Sequence, residues 1–380
     1  MTYHRTVCET ALETTGAFRS PWLRAAFRTV ERTDFVPDRI WLITADDDGL
    51  YPMLDKAVDE PAWLAAVWDP HRSVVTQLDD GATAATGPAS GGFTSSVSAP
   101  DIVFEKLNQL DLEPGHRVLE IGLGSGYNTA LLSERAAAVT SIDIDPDLVD
   151  AATARLRRAG YPARTVCGDG LAGYGHDAPY DRIIATASVH GIPDAWREQA
   201  ADGAVVLTPF NTAFEDGGLL KLRAQGGVLS GTFVGSASYM PVRAHRWRHR
   251  LPSLDAYAQS ASPIDPARVL DGTWAQSFTL GLHVPDIHRT ARSTEDGRQA
   301  QLWDTGGTSV SVVDYAAWRE GAAVTQWGPR NLWAEVVAAY ATWRTNGQPH
   351  VTRYGLTYDD AGRTLWFDAP DNPVHSCPHQ

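Results

Sequence analysis

Hydrophobic positions between residue 101 and about 242 alternate between two rhythms. Short apolar runs read as strands: "HRVLEI", "AVTSIDI", "ARTVC", "YDRIIATAS" and "GAVVLTPF". Helical stretches such as "NTALLSERA" and "DLVDAATARLRRAG" lie between them. Asp145-Pro146 opens the second of these as a cap followed by a first-turn proline, and Gly160 closes it. Such alternation predicts a parallel sheet with helices on both faces. Upstream, residues 4–31 predict one or two helices broken at Gly16 and at Ser20-Pro21, with Ser20 as a cap. Trp22, Leu23, Ala26, Phe27 and Val30 fall on one stripe. Residues 38–80 hold three tryptophans, an acidic "DDDG" and several prolines, and predict an irregular insert. The small, polar "GATAATGPASGGFTSSVSAP", residues 81–100, predicts either a linker or a loop that closes over a site.

Beyond about 251 the alternation stops. "SFTLGLHV", "TSVSVVDY" and "GRTLWFDA" read as strands, and "LWAEVVAAYATWRTNG" as a helix ending at Gly347. Three segments follow: 1–100, with the N-terminal helices, insert and acceptor-side loop; 101–250, an α/β core; and 251–380, a C-terminal α+β accessory domain and candidate substrate reader. Seven of the 13 tryptophans lie from Trp274 onward. They either pack a small core or line a peptide groove.

Composition narrows the function classes. A formal charge of −14 argues against a general nucleic-acid surface. Cys8, Cys167 and Cys377 are scattered without C-x-x-C spacing, which excludes a disulfide framework and argues against a cysteine-rich metal site. The histidines show no H-E-x-x-H spacing, so no metal is expected. No G-x-S-x-G elbow supports a hydrolase. No apolar run approaches a membrane span, and the N-terminus lacks a signal-peptide core. The expectation is a cytoplasmic protein with neither membrane nor nucleic-acid partner.

The chemistry concentrates in "VLEIGLGSGYNTALL", Val118 to Leu132. A glycine turn between a strand and a helix receives a ligand's polar end. A dinucleotide site wants G-x-G-x-x-G, whereas the spacing here is Gly122-x-Gly124-x-Gly126. Glu120, two residues before the first glycine, is poorly placed for a pyrophosphate but tolerable beside a cation. S-adenosylmethionine carries a sulfonium and an ammonium group and no phosphate, so electrostatics favours the methyl donor over NAD. Asp143 ends the second strand and can accept both ribose hydroxyls. Asp169, in "VCGDGL", follows the third strand, where an acid can bond an adenine amino group. Each acid alone also suits a solvated turn; their occurrence at successive strand ends favours a methyltransferase.

"SSVSAP", "VLEIGLGSGYNTALLS", "VTSIDIDPDLV", "CGDGLAGYGHDAPYDRIIATASVHGIPDAW", "GAVVLTPF" and "YMPV" together resemble the protein-L-isoaspartate O-methyltransferase family. The opening "GAFRSPWLRAAFRTVERTDFVP" is similar to that family's N-terminal helices, so the resemblance covers roughly residues 10–37 and 76–243. It implies a Rossmann-like class I methyltransferase sheet flanked by the N-terminal extension and the C-terminal α+β domain. It also implies S-adenosylmethionine as cofactor, S-adenosylhomocysteine as product, and methyl transfer to a carboxylate of a peptide or protein. The donor site expected from it comprises Glu120, Gly122, Gly124, Gly126, Asn128, Asp143, Ile144, Gly168, Asp169 and Gly170. Ser98 matches the serine that the family places beside the donor, with Ser96, Val97 and His190 on the acceptor side. Ser95 and Ser96 read as loop residues, and Asp101 as a helix cap.

The family usually has glutamine after that serine, where this chain has Ala99. The insert and the C-terminal residues are absent from compact repair enzymes and suit one dedicated acceptor. The extended architecture resembles an actinobacterial branch associated with ribosomally made peptide natural products (RiPPs), in which a methyl ester on aspartate collapses to a succinimide (aspartimide) or isoaspartate. General isoaspartyl repair is the nearest rival; a small-molecule methyltransferase and a non-catalytic binding protein are the others. "RAHRWRHR", Arg243 to Arg250, is either an acidic-peptide dock using Arg243 and Arg246 or a solvated linker.

Overall fold

The computed structural model describes residues 3–247, 256–294 and 297–377. By internal packing the chain divides into two compact units. One comprises Met1–Ala187, Ile192–Thr208 and Lys221–Leu229; the other comprises Ser188–Gly191, Pro209–Leu220 and Ser230–Gln380. The first 100 residues thus pack with the α/β core, and the packing boundary falls near 230 rather than 251.

The first unit opens with helices α1 (Tyr3–Thr14) and α2 (Pro21–Thr29). Leu23, Ala26, Phe27 and Val30 are buried along the stripe. Ser20 occupies the N-cap position of α2 but makes no side-chain capping bond. Residues 38–80 are not irregular. They form β1 (Arg39–Leu42), β2 (Met53–Asp55), α3 (Glu60–Val67) and β3 (Val74–Leu78). With β4 (Phe93–Val97) these strands make a sheet ordered β2-β1-β3-β4, in which Val75 pairs with Ser96. Residues 93–97 are therefore a strand and neither linker nor free loop. Trp41, Val75 and Leu78 pack one face of that sheet, which is why the sequence there is aromatic-rich.

Helix α4 (Pro100–Gln109) leads into the main sheet. Its strands are β5 (Arg117–Ile121), β6 (Ala138–Asp143), β7 (Arg164–Cys167), β8 (Tyr180–Ala185) and β9 (Ala200–Phe210). Three helices intervene: α5 (Tyr127–Ser133), α6 (Pro146–Ala159) and α7 (Asp194–Gln199). β10 (Gly218–Gln225) and β11 (Val228–Ser236) follow, and β9 to β11 contribute residues to both units. Within the first unit the order is β10-β9-β8-β5-β6-β7, with β6, β7, β8 and β9 joined in parallel through β5. β5 and β8 are neighbours although α5, β6, α6 and β7 separate them in the chain. Chain direction around the sheet reverses at that pair, and ligands of open α/β sheets bind in the crevice at such a point. Helix α6 is capped as its sequence predicts: Asp145 accepts from Asp147 N and Leu148 N, and Gly160 closes it in the left-handed region.

In the second unit, β12 (Tyr257–Ser260), β13 (Ile287–Thr294), β14 (Gly297–Asp304), β15 (Val310–Asp314) and β16 (Val324–Trp327) form an antiparallel sheet ordered β12-β16-β15-β14-β13. Helices α8 (Pro266–Leu270), α9 (Trp274–His283) and α10 (Leu332–Thr345) accompany it. β17 (Tyr354–Asp359), β18 (Gly362–Phe367) and β19 (Pro373–Cys377) continue beside β11 in the order β19-β18-β17-β11. "SFTLGLHV" is not a strand: Ser277 to His283 lie in α9. Trp303, Trp333, Trp343 and Trp366 are buried, so most of the C-terminal tryptophans fill core. Among the described residues, no helix is long and apolar enough to cross a membrane.

Candidate functional site

The carboxyl ends of β5, β6, β7 and β8 converge on the glycine turn. Gly122 takes φ +95°, and a Cβ there would meet Thr186 Oγ1 at 2.4 Å. Thr186, just past β8, donates to Ile121 O at 3.2 Å and also bonds Gly122 O. Gly124 differs. Its φ is +51°, and a Cβ there would meet no protein atom within 4 Å. The turn is therefore packed on its Gly122 side and open on its Gly124 side.

Four of the turn's amides are already committed. Gly122 N and Leu123 N donate to Ile142 O at 2.8 and 3.1 Å, and Gly126 N donates to Leu123 O at 2.9 Å. Gly124 N donates to the Asp143 carboxylate at 2.9 Å. A phosphate-binding turn needs such N–H groups free to point at the anion. Beneath the turn, Glu120 is fully buried. It accepts from Asn128 Nδ2 at 2.8 Å, Ser141 Oγ at 2.7 Å and Thr129 Oγ1 at 2.5 Å. Burial raises its pKa, and the three donors oppose that rise. Glu120 and Asn128 are thus each other's partners, and both shape the floor of the turn.

Lys106, on α4, is 2% exposed and donates to Ala185 O at 2.5 Å. Burial pushes its pKa down to about 7, against the attraction of Glu120. Asp143, half-buried, also accepts from Asp145 N at 3.2 Å, and its carbonyl accepts from Gly168 N at 2.8 Å. Ile144 beside it is 43% exposed. Asp169 is exposed and accepts from Leu171 N at 2.9 Å. Trp196 donates to Gly170 O at 2.8 Å and fixes that loop. Gln77 of β3 donates to Asp145 at 3.1 Å and accepts from Thr94 of β4 at 2.9 Å, tying the insert sheet to the start of α6.

Ser98 follows β4 and is half-buried, and its carbonyl accepts from Arg32 Nη2 at 2.8 Å. Ser95 is buried and accepts from Thr76 Oγ1 at 2.9 Å, which removes it as a competing hydroxyl. Ser96 is half-buried and Val97 buried. Asp101 is not the cap of α4, a position held by Ala99; it instead pairs with His71 Nδ1 at 2.8 Å.

The other acceptor-side candidates belong to the second unit. His190 stacks on His245 and Trp247, with ring centroids 3.8 and 4.8 Å away. Burial, then His245 and Arg363, push its pKa down to about 4. Arg243 and Arg246 are half-buried and each engages another residue of the chain, so neither is a free solvated arginine. Arg248, His249 and Arg250 lie outside the described residues. A cavity of about 690 Å³ in this unit is lined by Phe214, Glu215, Asp216, Trp247, Arg289 and Tyr315, among others. None of the seven C-terminal tryptophans lines it. Among the described residues, no group of three or more His, Cys, Asp or Glu side chains is placed to hold a metal ion.

Thr186, Lys106, Trp196 and Arg32 had no signal in the sequence, because each works through backbone carbonyls that leave no motif. Ser141 was findable, because it is the register partner of Glu120 on the neighbouring parallel strand.

The reversal of chain direction at β5 and β8, with an acid ending the adjoining strand, is the arrangement of a Rossmann-like α/β fold, and likeness to known proteins makes it a fold of the S-adenosylmethionine-dependent methyltransferase class. The family model for protein-L-isoaspartate(D-aspartate) O-methyltransferase (PCMT) matches residues 73–246. The chain is 37% identical over 156 residues to the protein-L-isoaspartate O-methyltransferase of Methanoculleus marisnigri, covering 41% of this chain and 70% of that one. With the Methanococcus maripaludis enzyme (strain C7) it shares 39% identity over 132 residues, 34% of this chain and 62% of the relative's length. The chain thus spans less than two thirds of some of the relatives it matches. A solved protein-L-isoaspartate O-methyltransferase aligns over 96% of this chain and all of its own, with TM-score 0.54 and 18% identity. The chain belongs to the protein-L-isoaspartate O-methyltransferase family.

Proposed function

We propose that the protein is an S-adenosylmethionine-dependent carboxyl O-methyltransferase whose acceptor is an isoaspartyl or aspartyl residue of a peptide or protein. The observation that carries this reading is the commitment of the turn's amides, Gly124 N to Asp143 above all. A turn with four of its N–H groups spent and a buried carboxylate beneath it is ill suited to a pyrophosphate and suited to a cationic donor. Asp143 takes the ribose hydroxyls, Asp169 the adenine amino group, and exposed Ile144 an apolar face of the base. Gly122, Gly124, Gly126, Gly168 and Gly170 let the backbone come close. Glu120 acts from below, through Asn128 and its field.

When bound, S-adenosylmethionine supplies a methyl group activated by its sulfonium. The chain's own task is alignment and exclusion of water. An acceptor carboxylate with a pKa of about 4 is already ionised at neutral pH, so no strong base is required. Ser98 orients that carboxylate through its hydroxyl, with Ser96 and Val97 beside it; no proton need move. The test is Ser98→Ala in single-turnover methyl transfer at saturating donor. A rate lowered by about tenfold or more with donor affinity kept supports the role. A near-normal rate removes Ser98 from the reaction.

A second reading, one dedicated modified peptide (a RiPP precursor) whose ester closes to an aspartimide, draws on the second unit, which holds His190, Arg243 and Arg246 and continues past the residues that the family model matches. The fold likeness over 96% of the chain weighs against that extension being particular to a dedicated acceptor. Robust turnover of simple isoaspartyl peptides decides for the general reading; turnover confined to a constrained precursor peptide decides for the dedicated one.

A further inference from the structure

Arg32 is a fully buried cation, and among the described residues no carboxylate pairs with it. Taking a guanidinium out of water without a counter-ion costs several kcal/mol, and an apolar residue of similar volume is often no less stable. The geometry shows where its bonding goes. Nε donates to Val67 O, the last residue of α3, at 2.8 Å. Nη2 donates to Ser98 O at 2.8 Å and reaches Val97 O at 3.5 Å. The guanidinium carbon lies 4.8 Å from the ring centroid of Tyr127, the first residue of α5 and the one after Gly126. Phe35, at the end of the same short helix Arg32–Phe35, packs on Tyr127 with centroids 6.1 Å apart. One planar group therefore fixes the Ser98 peptide, the end of α3 and the exit of the glycine turn relative to one another.

We propose that Arg32 is a positioning residue for methyl transfer: it holds Ser98 at a set distance from the donor turn. This rests on the reading of Ser98 given above. Arg32 touches neither donor nor acceptor; it acts through the Ser98 carbonyl, whose peptide plane determines where the Ser98 hydroxyl points. A lysine cannot replace it, because one ammonium nitrogen cannot serve Val67 O and Ser98 O with the angle that the guanidinium fork imposes. Misplacement of a reacting group by about 1 Å is enough to cost about a hundredfold in rate.

The experiment compares wild type, Arg32→Lys and Arg32→Met in the full chain. Three quantities are measured: S-adenosylhomocysteine affinity by calorimetry, turnover of an isoaspartyl peptide at saturating donor and peptide, and amide hydrogen exchange. The expected result in both variants is turnover at least about tenfold lower with donor affinity within about threefold. Exchange should quicken across residues 93–99, with β5 and β6 unchanged. Turnover within about twofold of wild type in a folded variant overturns the proposal. So does a loss that appears in donor affinity while turnover is kept. If Arg32→Met does not fold, Arg32→Lys decides. If wild type methylates no carboxylate, the reading of the reaction fails, and exchange alone then decides: unchanged protection of 93–99 overturns the positioning role.

Discussion

The Gly124 amide donates to the Asp143 carboxylate at 2.9 Å, so the glycine turn after β5 and the acid ending β6 are one unit. Asp143→Ala should both release the turn and remove an acceptor of ribose hydroxyls. Bonds to a charged acceptor are worth about 1.5–3 kcal/mol, so S-adenosylhomocysteine should bind roughly tenfold to a hundredfold more weakly. Asp143→Asn keeps one acceptor oxygen and should lose less. Calorimetry showing unchanged affinity in folded Asp143→Ala would take Asp143 out of the site.

The two neighbouring glycines should fail in different ways. Gly122→Ala drives a Cβ to 2.4 Å from Thr186 Oγ1 at φ +95°, and should destabilise the fold by about 3 kcal/mol. At Gly124 no protein atom lies within 4 Å of such a Cβ, so its replacement costs only the left-handed backbone, about 1–2 kcal/mol. Its methyl group instead enters the open side, and donor affinity should fall. Urea unfolding and donor titration of both variants check this. The opposite ranking in the two measurements contradicts the assignment of the open face.

Lys106 ties stability to pH. Burial lowers its pKa from 10.5 to about 7, so between those values the unfolded chain binds more protons than the folded one. Its contribution therefore makes stability rise with pH across that window, and the cost of burying the ammonium is full below about 7. Lys106→Met should remove that slope in denaturant unfolding between pH 7 and 9. Equal slopes in wild type and variant would mean that the amine stays charged against Glu120.

His190 should behave likewise at acid pH. Its folded pKa, about 4, lies below the ordinary 6.5, so stability held at neutral pH is lost as pH falls from 6.5 towards 4. His190→Phe keeps a ring against His245 and removes the titration. Imidazole NMR showing a His190 midpoint near 6.5 would contradict the burial that the ring stack implies.

Much of the first unit was legible in the sequence. β5, β6 and β8 are apolar runs because both sheet faces are covered, and α6 carries its caps in plain view. The insert was not legible: Trp41 pairs with Val75 and Val75 with Ser96, contacts between residues far apart that leave no local period. "SFTLGLHV" misled for a different reason. Residues Gln276 to Leu282 of α9 are buried on every side, and a helix covered all round has the same apolar run as a buried strand. In the site, the glycines and acids showed through as a spacing. The groups that hold them, Thr186, Lys106 and Arg32, bond to main-chain oxygens and are invisible until the chain is folded.

The central claim is methyl transfer to a carboxylate. Wild-type protein is incubated with methyl-labelled S-adenosylmethionine and a short isoaspartyl peptide, and label on the peptide is followed through mild alkali. The account predicts label that leaves as methanol while the peptide closes to a succinimide, as an ester does. A protein that binds the donor yet places no base-labile label on isoaspartyl or constrained aspartyl peptides would contradict it.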